Sequence, residues 1–289
     1  MTTAQAALSG VLVGGLYALM AIGVSLTWGM LKVINLAHFG LILVGAYLSY
    51  QTVTSWGFDP LLTVLVTAPA LFVAGAVLHW IYDRLAISEL NSLLVSFGVL
   101  VIIIQTTSNI WSEDFRRMTA DDNPYATQSV TVGEFVFPMP TLIAFAAAVV
   151  LTAAAQLSLR RTFVGRALRA FAEDRTVAAA FGIDHRRLGV LLAGVAGASA
   201  AVAGLLWALS NAITPSTPYE WFGIVFAVVI LGGIGNVAGT LLAGVLVGTL
   251  SSVVSVVWSP SAAPLAVFSA IVLALLFRPH GLLAGSAAR

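Results

Sequence analysis

RRTFVGRALRAFAEDRTVAAAFGIDHRR, residues 160–187, decides how the rest of the chain is read. Seven arginines stand there against Glu173, Asp174 and Asp184, so more than half of the thirteen basic residues fall in under a tenth of the 289-residue chain. Long apolar runs flank the segment on both sides. A basic loop this short between two membrane spans belongs on the cytoplasmic face, because Lys and Arg resist translocation. Within it, Gly165 to Phe181 reads as one helix with Gly182 as its C-terminal stop. A surface helix of alanines and arginines suits the docking of a soluble partner; the same charges also serve a loop that only sets orientation.

The composition around this segment is 60% hydrophobic and 9% charged, where soluble domains carry roughly 25% charged residues. So much apolar surface cannot be hidden in a soluble core of this size, which makes the chain an all-α polytopic membrane protein. A net charge of +1 carries no nucleic-acid footprint. The absence of cysteine excludes disulfides, thiolate metal sites and a cysteine nucleophile, and the four histidines lack metal-ligand spacing. No basic stretch or cleavage site opens the chain, so the first apolar run reads as a retained span.

Uncharged intervals cover 1–31, 33–58, 60–82, 90–112, 135–159, 188–219 and 221–277. A helix needs about 20 apolar residues to cross the hydrocarbon, so each of the first six holds one crossing. The last has 57 residues and lies between an interval that leaves the cytoplasm at Arg187 and the basic Arg278. Parity gives it three crossings, for nine in all, with the N-terminus outside and the C-terminus cytoplasmic. The alternative is eight crossings plus a re-entrant segment. Either way one helix must be short or broken, and Gly232, Gly233, Gly235 and Asn236 mark the place; irregular backbone at this depth needs protein or water to satisfy it. The same parity places the acidic loop 113–140 outside, with a short strand expected over Thr131 to Phe137. Gly40-LILV-Gly45 and Gly239-TLLA-Gly244 echo each other after two irregular stretches, which fits either a parallel repeat or close span packing.

All twelve acids lie outside the spans, which argues against proton coupling through an intramembrane carboxylate. The chain has no GxxxxGK[ST] phosphate loop and no Ser/His/Asp set, so energy for transport has to come from another chain. What the spans do hold is neutral polarity. Asn35 and His38 follow the first inside turn, Ser96 lies early in the fourth interval with Gln105 to Asn109 at its end, and Asn236 sits at the glycine break. In lipid such groups turn toward protein or water. Asn35, His38, Ser96 and Asn236 are therefore candidates to line a path for a neutral or zwitterionic solute; interhelical hydrogen bonding is the other role open to each.

GGLYALMAIGVSLTWGMLKVINLAHFGLILVGAYLS (14–49), GRALRAFAEDRTVAAAFGID (165–184), VILGGIGNVAGTLLAGVLVG (229–248) and FRPHGLLAG (277–285) resemble, in that order, bacterial ABC permeases of the high-affinity branched-chain amino-acid type. The resemblance implies a single transmembrane permease domain, 1–289, in the bacterial inner membrane. It implies a second related permease, two cytoplasmic ATPases and an outside solute-binding protein as partners, besides membrane lipid. No cofactor is expected on this chain; ATP and magnesium would belong to the ATPases. Ala167 to Gly182 would be the coupling helix within segment 160–187, with Arg166, Arg169, Glu173, Asp174 and Arg175 facing an ATPase. The solute implied is a branched-chain amino acid, though relatives of this type also take urea, short amides or carboxylic acids. A stand-alone channel and an ion-coupled transporter are the competing classes, weakened by the large basic loop and the uncharged spans.

Overall fold

The structure, a computed structural model, describes residues 2–277 and Gly281. Its axis is α1 (Thr3–Leu31), an uninterrupted apolar run capped by the Thr2 side chain, which accepts from the Gln5 N–H at 3.2 Å. The helix stops where Lys32 turns left-handed (φ 55°) and returns its N–H to the Trp28 carbonyl. After the irregular residues 32–36 come α2 (Ala37–Trp56), a 3-10 turn (Pro60–Thr63) leading into α3 (Val64–Arg84), and α4 (Glu89–Trp111). A loop and a two-stranded hairpin, β1 (Ser129–Val132) with β2 (Phe135–Pro138), precede α5 (Met139–Arg161). Then follow two short helices, α6 (Phe163–Glu173) and α7 (Arg175–Ala180), and four longer ones: α8 (His185–Ser210), α9 (Thr217–Gly232), α10 (Val237–Val257) and α11 (Ala262–Phe277).

Six helices, α1, α3 with its leading turn, α4, α5, α8 and α10, are long and apolar enough to cross a membrane. The 16-residue α9 and α11 reach only about 24 Å at 1.5 Å per residue, short of the roughly 30 Å hydrocarbon core. The three helices expected in the last interval are present, and the break falls where the glycines marked it. Gly233 (φ 90°) and Gly235 (φ 81°) take a backbone that other residues avoid. Arg278, and all but Phe277 and Gly281 of the matching stretch 277–285, lie outside the described residues.

The long helices meet through small residues. On α1, a side chain at Gly14 would strike the Gly244 carbonyl of α10, and one at Gly10 would meet Thr249 Cα at 2.6 Å. Gly75 and Gly197 join α3 to α8 in the same way, and Gly204 lets α8 reach the α2 backbone. Without a hydrophobic drive between helices in lipid, this closeness supplies the packing energy. The echoed glycine steps are part of it: Gly45 rests on Ala201 of α8, and Gly244 on α1.

Helix ends sort into two groups by their contacts. At one end Gln5 bonds Val136 through both amide atoms (2.7 and 3.2 Å), Trp111 Nε1 donates to Gln51 at 2.9 Å, Asn123 Nδ2 donates to the Leu209 carbonyl at 3.1 Å, and Arg116 pairs with Ile213. At the other end Arg186 meets Asp83 at 3.0 Å, Ser96 holds residues 34 and 36, and Gly29 abuts Gly235. The first group carries most of the acids; Lys32, Arg84 and the seven arginines of 160–187 belong to the second.

Two local expectations are corrected. The strand over Thr131 to Phe137 is a hairpin, because Gly133 (φ 61°) folds the run back on itself. The single helix Gly165 to Phe181 is two helices, because Asp174 takes an extended backbone (φ −148°) and its carboxylate accepts the Thr176 and Val177 N–H groups at 2.8 and 3.0 Å. Aspartate in that position starts a new helix rather than continuing the old one.

Candidate functional site

The C-terminal half of α1 stands beside two breaks in the helices. On one side is the bend at 32–36. Ser96 of α4 pins it, accepting the Leu36 N–H at 3.0 Å with its hydroxyl 3.2 Å from the Ile34 carbonyl. Asn35 lies between those two points with its Oδ1 buried and unpartnered. His38, in the first turn of α2, is 2% exposed and its ring lies on Gly23, where a Cβ would collide with it. Its Nε2 has no partner. On the other side is the break at 233–236. Ser25 Oγ accepts the Gly235 N–H at 3.2 Å and lies 3.1 Å from Thr240 Oγ1. Asn236 caps α10, its Oδ1 accepting the Gly239 N–H at 3.0 Å.

The four path candidates therefore fall at the two breaks: Asn35 and Ser96 at the bend with His38 just after it against Gly23, and Asn236 beside Gly235, which meets Ser25 and Gly29. Ser96 and Asn236 are engaged with backbone at the breaks, while Asn35 and His38 bring buried polar atoms without partners. Such atoms are costly away from water; Tyr47, Ser49, Tyr82, Thr152, Trp207, Ser210 and Trp221 also bury polar atoms without partners, elsewhere in the bundle. Ser25 and Thr240 were not singled out from the sequence. A lone serine and threonine in apolar runs carry no signal until the facing helix is known.

Below these breaks lies the basic segment. Thr162 caps α6 through the Gly165 N–H at 3.0 Å. The apolar positions of α6 follow helical spacing, with Gly165, Ala167, Leu168 and Phe171 buried. Leu168, Phe171 and Ala178 of α7 enter a second apolar core with Ile22, Leu26, Met30 and Leu31 of α1, Leu159 of α5, Leu192 of α8 and Val237 of α10. α6 is thus packed directly on the stretch of α1 that borders both breaks, with Ala178 of α7 in the same apolar cluster. Phe171 stacks on His185, ring centres 6.2 Å apart. A cavity of about 460 Å³ opens beside them, reaching Val33, Tyr82, Asp83 and Arg186.

Of the charges expected to face a partner, Arg166, Arg169 and Glu173 are exposed, with Arg166 Nη1 donating to the Arg161 carbonyl at 3.2 Å. Asp174 is exposed but its carboxylate is taken up in capping α7. The side chain of Arg175 lies outside the described residues. Gly182 ends the segment in the left-handed conformation expected of it (φ 78°). Missed by charge-based reading are Phe163 and Phe181, 73% and 83% exposed on the same surface. An aromatic left in water beside arginines is a mark of an interface. Among the described residues no cluster of three or more His, Asp or Glu could hold a metal ion.

The comparisons with known proteins agree with this architecture. Residues 6–278 match the family model described as branched-chain amino acid transport system / permease component. The chain is 27% identical to the high-affinity branched-chain amino acid transport system permease protein BraD of Pseudomonas aeruginosa, over 96% of this chain and 95% of that protein. It is 28% identical to LivH of Escherichia coli K12, a permease protein of the same description, over 96% of this chain and 94% of the other. A probable branched-chain amino acid transport permease, LivH of Methanocaldococcus jannaschii, is 26% identical over 85% of this chain and 79% of its own length. No solved structure matches. With a matched region that runs from the first helix past the last, the chain belongs to the permease-component family of branched-chain amino acid transport systems.

Proposed function

We propose that this chain is the non-catalytic transmembrane subunit of an ATP-driven importer, moving a branched-chain amino acid or a similar small polar solute inward by alternating access. It pairs with a second permease, receives solute from an outside binding protein, and is driven by two cytoplasmic ATPases that carry the ATP and magnesium. Nine crossings place the N-terminus and the loop 113–140 outside and segment 160–187 and the C-terminus in the cytoplasm of a bacterium, across its inner membrane. The acidic and basic groups of helix ends described above support that orientation, since arginine marks the inner face.

The observation that carries the proposal is the apolar core joining α6 to the inner half of α1 and to Val237 at the start of α10. A motor that shifts α6 as a rigid body pushes on the helices bordering both breaks at once, and packed interfaces of this kind move between discrete arrangements rather than deform. Asn35, His38 and Asn236 would then change exposure between the two faces, with Ser96 holding the bend beside Asn35. Every Asp and Glu of the helices falls in a first or last turn, so no carboxylate stands mid-span to bring in a coupling ion.

Reconstitution tests this. Vesicles holding the chain with its partner permease and ATPases should accumulate radiolabelled leucine only with internal ATP and external binding protein. Leucine uptake by the chain alone, or uptake that follows a proton or sodium gradient without ATP, would overturn the reading.

A further inference from the structure

Of the six helices long and apolar enough to span, α4 is the least covered, with 17% of its most apolar stretch buried. It packs mainly on α2. Its buried positions, Ser92, Ser96, Leu100 and Thr107, form one stripe. At 100° per residue, Asn91, Gly98, Gln105 and Asn109 fall within about 40° of one another on the opposite side. All four are exposed. Between them on this face stand Leu94 and Ile102, 70% and 65% exposed.

This face does not suit lipid. Gln105 is six residues inside the Trp111 end, about 9 Å along the helix. Its only hydrogen bond is to Asn109, with Nε2 3.5 Å from Oδ1, and amide groups facing hydrocarbon go unsatisfied. Nor does it resemble the packed seams of this molecule. There small residues recur a turn or two apart, as Gly10 and Gly14 do against Gly244 and Gly248. Gly98 stands alone among Leu94, Val95, Val101 and Ile102, and a Cβ added to it would meet nothing within 4 Å. It is a notch in a bulky wall.

We infer that this face of α4 is a wall of the solute path, with the Gln105 and Asn109 amides taking the polar head of the solute and the aliphatic stretch around Gly98 taking its apolar side chain. This rests on the permease reading and moves the wall of the path to the exposed side of α4, so that Ser96, on the buried side, holds the bend at 34–36 and does not line the wall. The stripe is uncharged, with amides toward one end and at Asn91 on the other and an apolar middle. That pattern fits an amphiphilic zwitterion and places no charged side chain toward a bare ion.

The chain contains no cysteine, so single replacements can be read directly in the complete reconstituted complex. Gln105→Cys, Asn109→Cys and Gly98→Cys are treated with a membrane-impermeant methanethiosulfonate, with Val150→Cys, at a position 64% exposed amid the apolar run of α5, as the control for a lipid-facing thiol. Only the thiolate reacts, and a thiol in hydrocarbon does not ionise, so labelling at 105 and 109 is expected to be roughly ten-fold or more faster than at 150. Leucine delivered by the binding protein should slow it. Labelling no faster than at 150 overturns the inference in favour of lipid; labelling blocked by the second permease whatever the leucine concentration overturns it in favour of a subunit seam. Gln105→Leu gives an independent readout: uptake falls at a path position and is kept at a lipid-facing one. Leucine uptake by the cysteine-free complex is measured alongside. Its absence would sink the permease reading itself, whereas uptake with an unlabelled 105 sinks only the path assignment.

Discussion

Tyr125 shows how a single side chain ties the long loop to the bundle. Its hydroxyl donates to both Asp59 carboxylate oxygens, at 3.0 and 3.3 Å. Burial raises its pKa first, with the bond to Asp59 and the Asp59 charge adding in the same direction. The protonated phenol is the form the fold prefers. Its contribution is therefore complete below the ordinary tyrosine value of 10.0 and is lost as pH rises through the higher folded value. Proteolysis of residues 113–134, followed over roughly pH 8 to 11, should accelerate in that alkaline window. Tyr125→Phe should give the faster cleavage at all pH values, with no step; a step that survives the substitution would assign it elsewhere. The pairing of Tyr125 with Asp59, 66 positions apart, could not be read from the chain, since each residue alone is an ordinary surface group.

Within the basic segment, α6 and α7 divide into a buried side and an outward side with different expected consequences. Leu168 and Phe171 are 4% and 5% exposed, so truncating either to alanine should cost about 2–5 kcal/mol of local packing. In the assembled complex these variants should keep ATP hydrolysis while uptake falls, because the ATPase still docks but its motion no longer reaches α1. Phe181→Ala and Glu173→Ala change exposed side chains and should leave folding intact while weakening ATPase co-purification. Equal recovery of the ATPases with Phe181→Ala would remove Phe181 from the docking surface. That residues from Gly165 on are helical was legible beforehand, as was the Gly182 stop. The break at Asp174 was not, since the same aspartate reads as a surface charge until its carboxylate is seen to cap the next helix. Likewise Ser96 was recognised as an inward polar group, but only the fold shows it gripping the bend beside Asn35.

At the scale of the whole molecule, two close-packed assemblies carry the bundle: α1 with α10, and α3 and α2 with α8. Both depend on backbones approaching where no side chain intervenes. Gly14→Leu would drive a side chain into the Gly244 carbonyl, and overpacking of this kind costs about 1–3 kcal/mol or more. Folded yield from membranes should fall sharply, while Gly98→Leu, on an open face, should leave yield unchanged and act on uptake alone. Thermal unfolding of the two purified variants separates these outcomes. Normal stability of Gly14→Leu would mean that α1 and α10 can separate without loss.

The likeness of four stretches to a known family pointed to the family; membrane residence, the places of the long helices, the glycine break and the clustering of the arginines were determined by the chain as written. Each rests on a local or compositional property: apolar run length, charge asymmetry, or residues that only certain backbone conformations tolerate. What only the tertiary structure decided is which polar groups are engaged and which are left over. It turned Ser96 and Asn236 toward backbone, left Asn35 and His38 with unmet atoms, and put Gln105 and Asn109 on an uncovered face. The reason is geometric. A helix presents every side chain somewhere around its circumference, and only the neighbours it packs against determine which direction is protein, which is lipid and which is water.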